Sequence, residues 1–113
     1  MHELSLLDNV RTILEEHARS QQFEIVDKIT LEIGALSCIE SEALRFAFDT
    51  VMNNSLAQHA QLTIKHIAGQ GRCVACGKMT PMRELYDTCL HCGHFQLDIL
   101  SGLEMKITEL EVR

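Results

Sequence analysis

The sequence predicts an α+β fold, in which a small mixed three-stranded sheet with two helices is interrupted by an inserted lobe built on cysteines. Three observations predict it. Two amphipathic helical segments alternate with two strand-like segments before residue 66, and strand–helix–strand at that spacing implies a right-handed crossover between parallel strands. Two Cys-x-x-Cys pairs follow, Cys73/Cys76 and Cys89/Cys92, with twelve residues between them. A closing stretch of alternating apolar residues then resumes the sheet.

The first helix rests on Leu6, Leu7, Val10, Ile13, Leu14 and Ala18, which recur at helical spacing opposite Asp8, Arg11, Glu15, Glu16 and Arg19. Ser5 with Asp8 three residues on resembles a capping box, so the helix is expected from about residue 5 to 20. Ile29, Leu31, Ile33 and Ala35 alternate with Lys28, Thr30, Glu32 and Gly34, the pattern of a half-buried strand. Ser37 and Glu40 form a second capping-box candidate ahead of Ala43, Leu44, Ala47, Phe48, Val51 and Met52. That helix should end near Asn53-Asn54, with Phe46 off its apolar stripe as edge packing or partner surface. Cys38 is expected in its first turn as a small buried hydrophobe.

Leu62 and Ile64 alternate with Thr63 and Lys65 in a second strand, and Gly69-Gln70-Gly71 reads as a hinge into the cysteine lobe. Ser101-Gly102 marks the way out. Leu103, Met105 and Ile107 share one phase and Leu110 and Val112 the other, which predicts a β-bulge near Thr108 or Glu109. This last strand is expected antiparallel to the second strand, placing the lobe at the tip of a long hairpin. The implied domains are an α/β domain of residues 1–68, completed by the strand 103–113, and a metal module of residues 69–102.

Two Cys-x-x-Cys pairs supply four thiolates, the donor set of a tetrahedral divalent metal site, and Gly77 and Gly93 let the backbone fold back around the sulfurs. Soft sulfur donors select zinc or iron over hard cations. Two disulfides and a rubredoxin-type iron centre are the alternatives, and neither a secretory context nor any electron-transfer feature accompanies them. Cys73, Cys76, Cys89 and Cys92 are therefore read as a zinc-ribbon-like lobe. With all four coordination positions taken by sulfur, the metal holds structure.

Composition narrows the function classes. The apolar fraction is 46% and the formal net charge is −6. Within residues 71–100, Arg72, Lys78 and Arg83 balance Glu84, Asp87 and Asp98, so the lobe lacks the basic face that phosphates require and nucleic acid is not the expected partner. No secretory leader and no apolar run of membrane-spanning length is present, and five cysteines suit a reducing compartment. A cytoplasmic protein away from membranes is expected. No nucleophile–base pair or phosphate-cradling loop suggests an enzyme.

The N-terminus offers different chemistry. The Met1 amine, the deprotonated His2 amide nitrogen and the His2 imidazole can close fused chelate rings, and the Glu3 amide nitrogen can complete a square suited to Ni(II) or Cu(II). On the residues alone, a solvated terminal histidine is the competing reading.

Met1-His2-Glu3-Leu4-Ser5, the stretch from Leu31 to Glu40 and the paired Cys-x-x-Cys motifs together resemble the HypA/HybF family, over the whole chain. Its members are nickel metallochaperones for maturation of NiFe-hydrogenase. The resemblance implies that His2 ligates nickel, that Met1 and Glu3 contribute to the same site, and that the four cysteines hold structural zinc. It implies as partners the GTPase HypB and the hydrogenase large-subunit precursor, in some members urease maturation proteins, and leaves room for a weak homodimer. Members with histidine directly after each cysteine pair couple the zinc site to pH or nickel. Here Gly77 and Gly93 stand in those places, with His94 one step on, so that coupling is not carried over. Glu40 could approach the nickel but caps a helix more simply. His91 and His94 are either transient nickel groups or solvated, and His17, His59 and His66 carry no spacing signal. A zinc-ribbon adaptor or nucleic-acid-binding module with an incidental N-terminal histidine is the alternative from another class.

Overall fold

The computed structural model describes residues 3–113, in the order α1 (Glu3–Gln21), β1 (Val26–Gly34), α2 (Ser41–Met52), β2 (Gln61–Ile67), β3 (Gly69–Cys73), β4 (Met79–Met82), β5 (Leu97–Ser101) and β6 (Met105–Val112). The chain divides into two compact units. One comprises residues 1–31, 39–64 and 107–113; the other comprises 32–38 and 65–106. One three-stranded sheet runs β2-β1-β6 and a second runs β4-β3-β5.

In the first unit α1 and α2 pack on each other. Leu6, Leu7, Val10 and Leu14 of α1 are buried, as are Leu44, Ala47, Phe48 and Met52 of α2, while Ile13 is exposed. The Arg11 guanidinium donates to the Val51 carbonyl at 2.8 Å, placing a cation at the last turn of α2, where helix carbonyls run out of helical donors. α1 starts two residues earlier than the Ser5 signal suggested, because Glu3 already supplies an acidic side chain to the first turn.

α2 starts later than Ser37 suggested. The Ser37 hydroxyl donates back to the Gly34 carbonyl at 2.7 Å and its amide does the same at 3.1 Å, closing a turn at the end of β1. Cys38 lies beyond that turn with φ +63, exposed, and so is neither helical nor buried as expected. The N-cap is Glu40, whose carboxylate accepts from the amides of Glu42 at 3.3 Å and Ala43 at 3.0 Å.

Strand order also departs from expectation. β6 lies beside β1, not β2, so the cysteine lobe is not the tip of a β2–β6 hairpin. β1 carries buried residues in both phases (Val26, Ile29, Thr30, Leu31 and Ile33), as a central strand must, whereas β2 alternates only between exposed and half-buried. The Arg113 carbonyl accepts from Glu24 and Ile25, and Gly34 donates to Glu104, so β6 runs antiparallel to β1. Val26 bonds Leu56 and Ala35 bonds Ile67, the parallel sense predicted for β1 and β2. Along β6 the half-buried positions are Met105, Ile107 and then Leu110, the phase change read from the sequence.

The second unit holds the sheet β4-β3-β5. Gly69 and Gly71 belong to β3, Gly69 opposite Met82 of β4 and Gly71 between Thr80 of β4 and Ile99 of β5, and do not form a hinge. Position 69 needs glycine, because a Cβ there would meet the Met82 carbonyl oxygen at 2.4 Å, while one on Gly71 would push on the movable Met82 sulfur at 2.6 Å. Pro81 is tolerated because β4 is an edge strand. Charge divides unevenly. The first unit carries eleven carboxylates against five lysines and arginines, and the second carries five of each, so the whole formal charge of −6 belongs to the helical unit.

Candidate metal centre

The lobe contains the same local structure twice. β3 ends at Cys73, and the turn through Val74, Ala75 and Cys76 is closed by the Gly77 amide donating to the Cys73 carbonyl at 2.9 Å, with Gly77 at φ +75. In the second turn the Gly93 amide donates to the Cys89 carbonyl, also at 2.9 Å, with Gly93 at φ +78. Each first cysteine is also anchored by its own amide, Cys73 to the Lys78 carbonyl and Cys89 to the His94 carbonyl. The left-handed backbone at both glycines turns each chain back past its sulfurs, the role the spacing assigned to them.

The four ligand sulfurs lie within 4.8 Å of one another. Cys73 Sγ is 3.5 Å from Cys92 Sγ, and Cys76 Sγ is 3.7 Å from Cys89 Sγ. A tetrahedral metal with bonds of about 2.3 Å has sulfur–sulfur edges of about 3.8 Å, so the cluster fits a zinc ion. Cys73 and Cys89 are buried, at 1% and 3% exposure, while Cys76 and Cys92 face outward. Among the described residues these four are the group able to hold a metal.

The surroundings prepare some sulfurs for ionisation and oppose others. The amides of Cys76 and Ala75 point at Cys73 Sγ and hold its thiol below the ordinary range, against burial. Burial pushes Cys89 up, yet the amides of Cys92 and His91 and the neighbouring thiols outweigh it and bring the group down to about 6. At Cys92 the His94 amide favours the thiolate, but the adjoining sulfurs of Cys73, Cys76 and Cys89, together with burial, push it up to about 12. Cys89 thus gives up its proton readily and Cys92 reluctantly, and a bound cation balances the charge that the gathered sulfurs build up.

Thr80 escaped the sequence reading. It is 1% exposed, and its hydroxyl accepts from the Leu90 amide at 3.3 Å, tying the second cysteine turn to β4. Its signal was faint, a lone threonine beside the one proline. The His91 ring lies 3.2 Å from the Met79 carbonyl, and His94 is half-buried against Phe95 with ring centroids 4.9 Å apart. Neither joins the sulfur cluster. His17, His59 and His66 are exposed.

Of the residues read as nickel ligands, Met1 and His2 lie outside the described residues. Glu3 is the first residue of α1 and is half-buried, lining a groove with Leu4, Ala43, Phe46, Ala47 and Thr50. Phe46 stands on that groove 79% exposed. The Glu40 amide donates to Glu3 Oε1 at 3.3 Å. Among the described residues no helix is long and apolar enough to cross a membrane.

A two-helix α+β unit joined to a zinc-ribbon-like four-cysteine lobe defines a small metal-binding protein with a four-sulfur site. The comparisons with known proteins refine that class. Residues 1–112 match the family described as "Hydrogenase/urease nickel incorporation, metallochaperone, hypA", and the chain belongs to that family. It is 44% identical over 112 residues to the hydrogenase maturation factor HypA of Acidithiobacillus ferrooxidans, and 41% identical to that of Azotobacter chroococcum, covering 99% of both partners in each pair. The solution structure of the Ni metallochaperone HypA from Helicobacter pylori superposes with a TM-score of 0.73 at 27% identity, over 99% of this chain and 97% of that one.

Proposed function

We propose that this chain binds Ni(II) at its N-terminus and delivers it during NiFe-hydrogenase maturation, while a structural Zn(II) held by Cys73, Cys76, Cys89 and Cys92 folds the lobe. The observation that carries this reading is the Met1-His2-Glu3 start on a chain that matches a nickel-incorporation family from residue 1 to 112. The Met1 amine, the His2 amide nitrogen and imidazole and the Glu3 amide nitrogen form the square nitrogen set. Support comes from where α1 begins. Glu3 is its first residue, so loss of its amide proton leaves the bonds along the helix in place. The positive end of the helix also favours the negative charge left on that nitrogen.

In this reading nickel belongs to residues 1–68, completed by 103–113, and zinc to residues 69–102. The receiving partners are HypB and the hydrogenase large-subunit precursor, in the cytoplasm, with urease maturation proteins as a second client set and a weak homodimer compatible with both. No catalytic step is assigned to the chain.

The test is calorimetric nickel titration of three zinc-loaded proteins: wild type, His2→Ala, and a form extended by one residue before Met1. His2→Ala deletes the imidazole, and the extension keeps every side chain but converts the amine to an amide. Both are expected to lose tight nickel binding with zinc content unchanged. Tight binding by the extended form would remove the amine from the ligand set and sink the proposed coordination.

A further inference from the structure

We infer that the four-sulfur centre is a site of reversible oxidation, at which hydrogen peroxide joins Cys73 to Cys92 and Cys76 to Cys89 across the two turns and frees the zinc, while the lobe keeps its fold. The inference rests on the zinc assignment proposed above. Accessibility divides the cluster: Cys76 and Cys92 are exposed, and Cys73 and Cys89 are buried. A small oxidant therefore meets the last cysteine of each turn first. Each outward sulfur already faces a buried sulfur of the opposite turn, Cys92 Sγ at 3.5 Å from Cys73 Sγ and Cys76 Sγ at 3.7 Å from Cys89 Sγ. Because the two turns share one local structure, these contacts are a single arrangement occurring twice.

The outward thiolate attacks the O–O bond of the peroxide, takes up one oxygen as a sulfenic acid and expels hydroxide. The buried thiolate opposite then attacks that sulfur. The S–S bond forms, the S–O bond breaks and a second hydroxide leaves. Protons from solvent turn both hydroxides to water. Two electrons pass from each sulfur pair to one peroxide, so two peroxides oxidise the centre and become four waters. Only thiolate sulfur is a metal ligand, so the oxidised centre releases its divalent cation. Backbone amides favour pairing across the turns. Ala75 and Cys76 donate to Cys73 Sγ at 3.4 and 3.5 Å, and His91 donates to Cys89 Sγ at 3.3 Å. These donors occupy the side of each buried sulfur that faces its own turn and leave the opposite turn as the open direction. The bonds from Gly77 to Cys73, Gly93 to Cys89, Val74 to Gln96 and Leu90 to Thr80 involve no sulfur, so both turns stand after oxidation.

The test titrates hydrogen peroxide into the zinc-loaded full chain carrying Cys38→Ser, which removes the exposed thiol outside the cluster. Zinc release is read with a chromophoric chelator, and lobe order by amide hydrogen exchange over residues 69–102. Disulfides are mapped by mass spectrometry after alkylation and trypsin. Cleavage after Lys78 and Arg83 separates the two Cys-x-x-Cys pairs, so bonds across the turns leave their peptides joined and bonds within a turn leave them apart. The expected result is full zinc release at about two equivalents of peroxide, with joined peptides whose fragments give Cys73–Cys92 and Cys76–Cys89. Exchange in the lobe should stay within about tenfold of the zinc-loaded form, and dithiothreitol with Zn(II) should restore the bound metal. Separate peptides, zinc retained at about ten equivalents, sulfinic or sulfonic acids in place of disulfides, or loss of the lobe's protection would each overturn the inference. Failure of the zinc assignment shows earlier, as untreated protein without firmly bound zinc, and the peptide map then still decides the pairing.

Discussion

Removing the Glu40 carboxylate should destabilise the helical unit. In Glu40→Ala the amides of Glu42 and Ala43, now held at 3.3 and 3.0 Å, lose their side-chain acceptor, and the start of α2 loses its N-cap charge. Loss of a side-chain N-cap costs about 1 kcal/mol. The charge at the positive end of the helix adds roughly 0.5 kcal/mol at low salt. A total of about 1.5 kcal/mol corresponds to a midpoint lowered by about 6 °C for a chain of this size. Glu40→Gln keeps an accepting oxygen and loses the charge, so it should fall by about a third of that amount. The assay is thermal unfolding followed by far-ultraviolet circular dichroism, which reports α1 and α2, on zinc-loaded, nickel-free protein. Nickel affinity in both variants should stay near that of wild type, because the backbone amide that holds Glu3 is untouched. An unchanged midpoint in Glu40→Ala, together with a large loss of nickel affinity, would refute the capping argument and make Glu40 a ligand.

Two further outcomes follow from the metal centre. Thr80→Val should leave the Leu90 amide without its acceptor and speed zinc transfer to a chromophoric chelator several-fold, the effect of losing about 1 kcal/mol at the second cysteine turn; an unchanged transfer rate would remove Thr80 from the support of the site. Zinc affinity should fall with pH, and more steeply below about 6. Below about 6 Cys89 is protonated as well, so zinc must displace one proton more than it does at neutral pH. Competition titrations giving the same slope above and below that point would contradict the assignment.

Features set by short-range pattern were legible in the sequence. The apolar stripes of α1 and α2, the crossover between β1 and β2 and the clustering of four sulfurs all follow from spacings within a few residues. The strand order was not, because β1 becomes central through residues such as Val26 and Thr30 that fill its second phase, while Lys28 and Glu32 make it look like a half-exposed strand. The lobe's small sheet was missed for a related reason. β3 contains two glycines and β4 contains Pro81, residues that normally argue against strands, and each is accommodated by a neighbour far along the chain. Cys38 and Glu40 were displaced by one competing local bond, since Ser37 closes a turn onto Gly34 and so cannot cap α2. Sequence showed which residues could cap, and only the folded backbone decided which of them does.

The uneven division of charge bears on how metal ions reach this protein. A dication diffusing near the helical unit enters the field of a body with formal charge −6, which raises its local concentration and its encounter rate. That enhancement weakens as salt shortens the screening length, to about 8 Å at physiological ionic strength. In the second unit five carboxylates balance five lysines and arginines, so the charge that draws a cation there is that of its ionised thiols, Cys89 among them. In the reading proposed above, nickel reaches its site through a broad field that salt weakens, and zinc reaches its own through charge held at the sulfurs themselves.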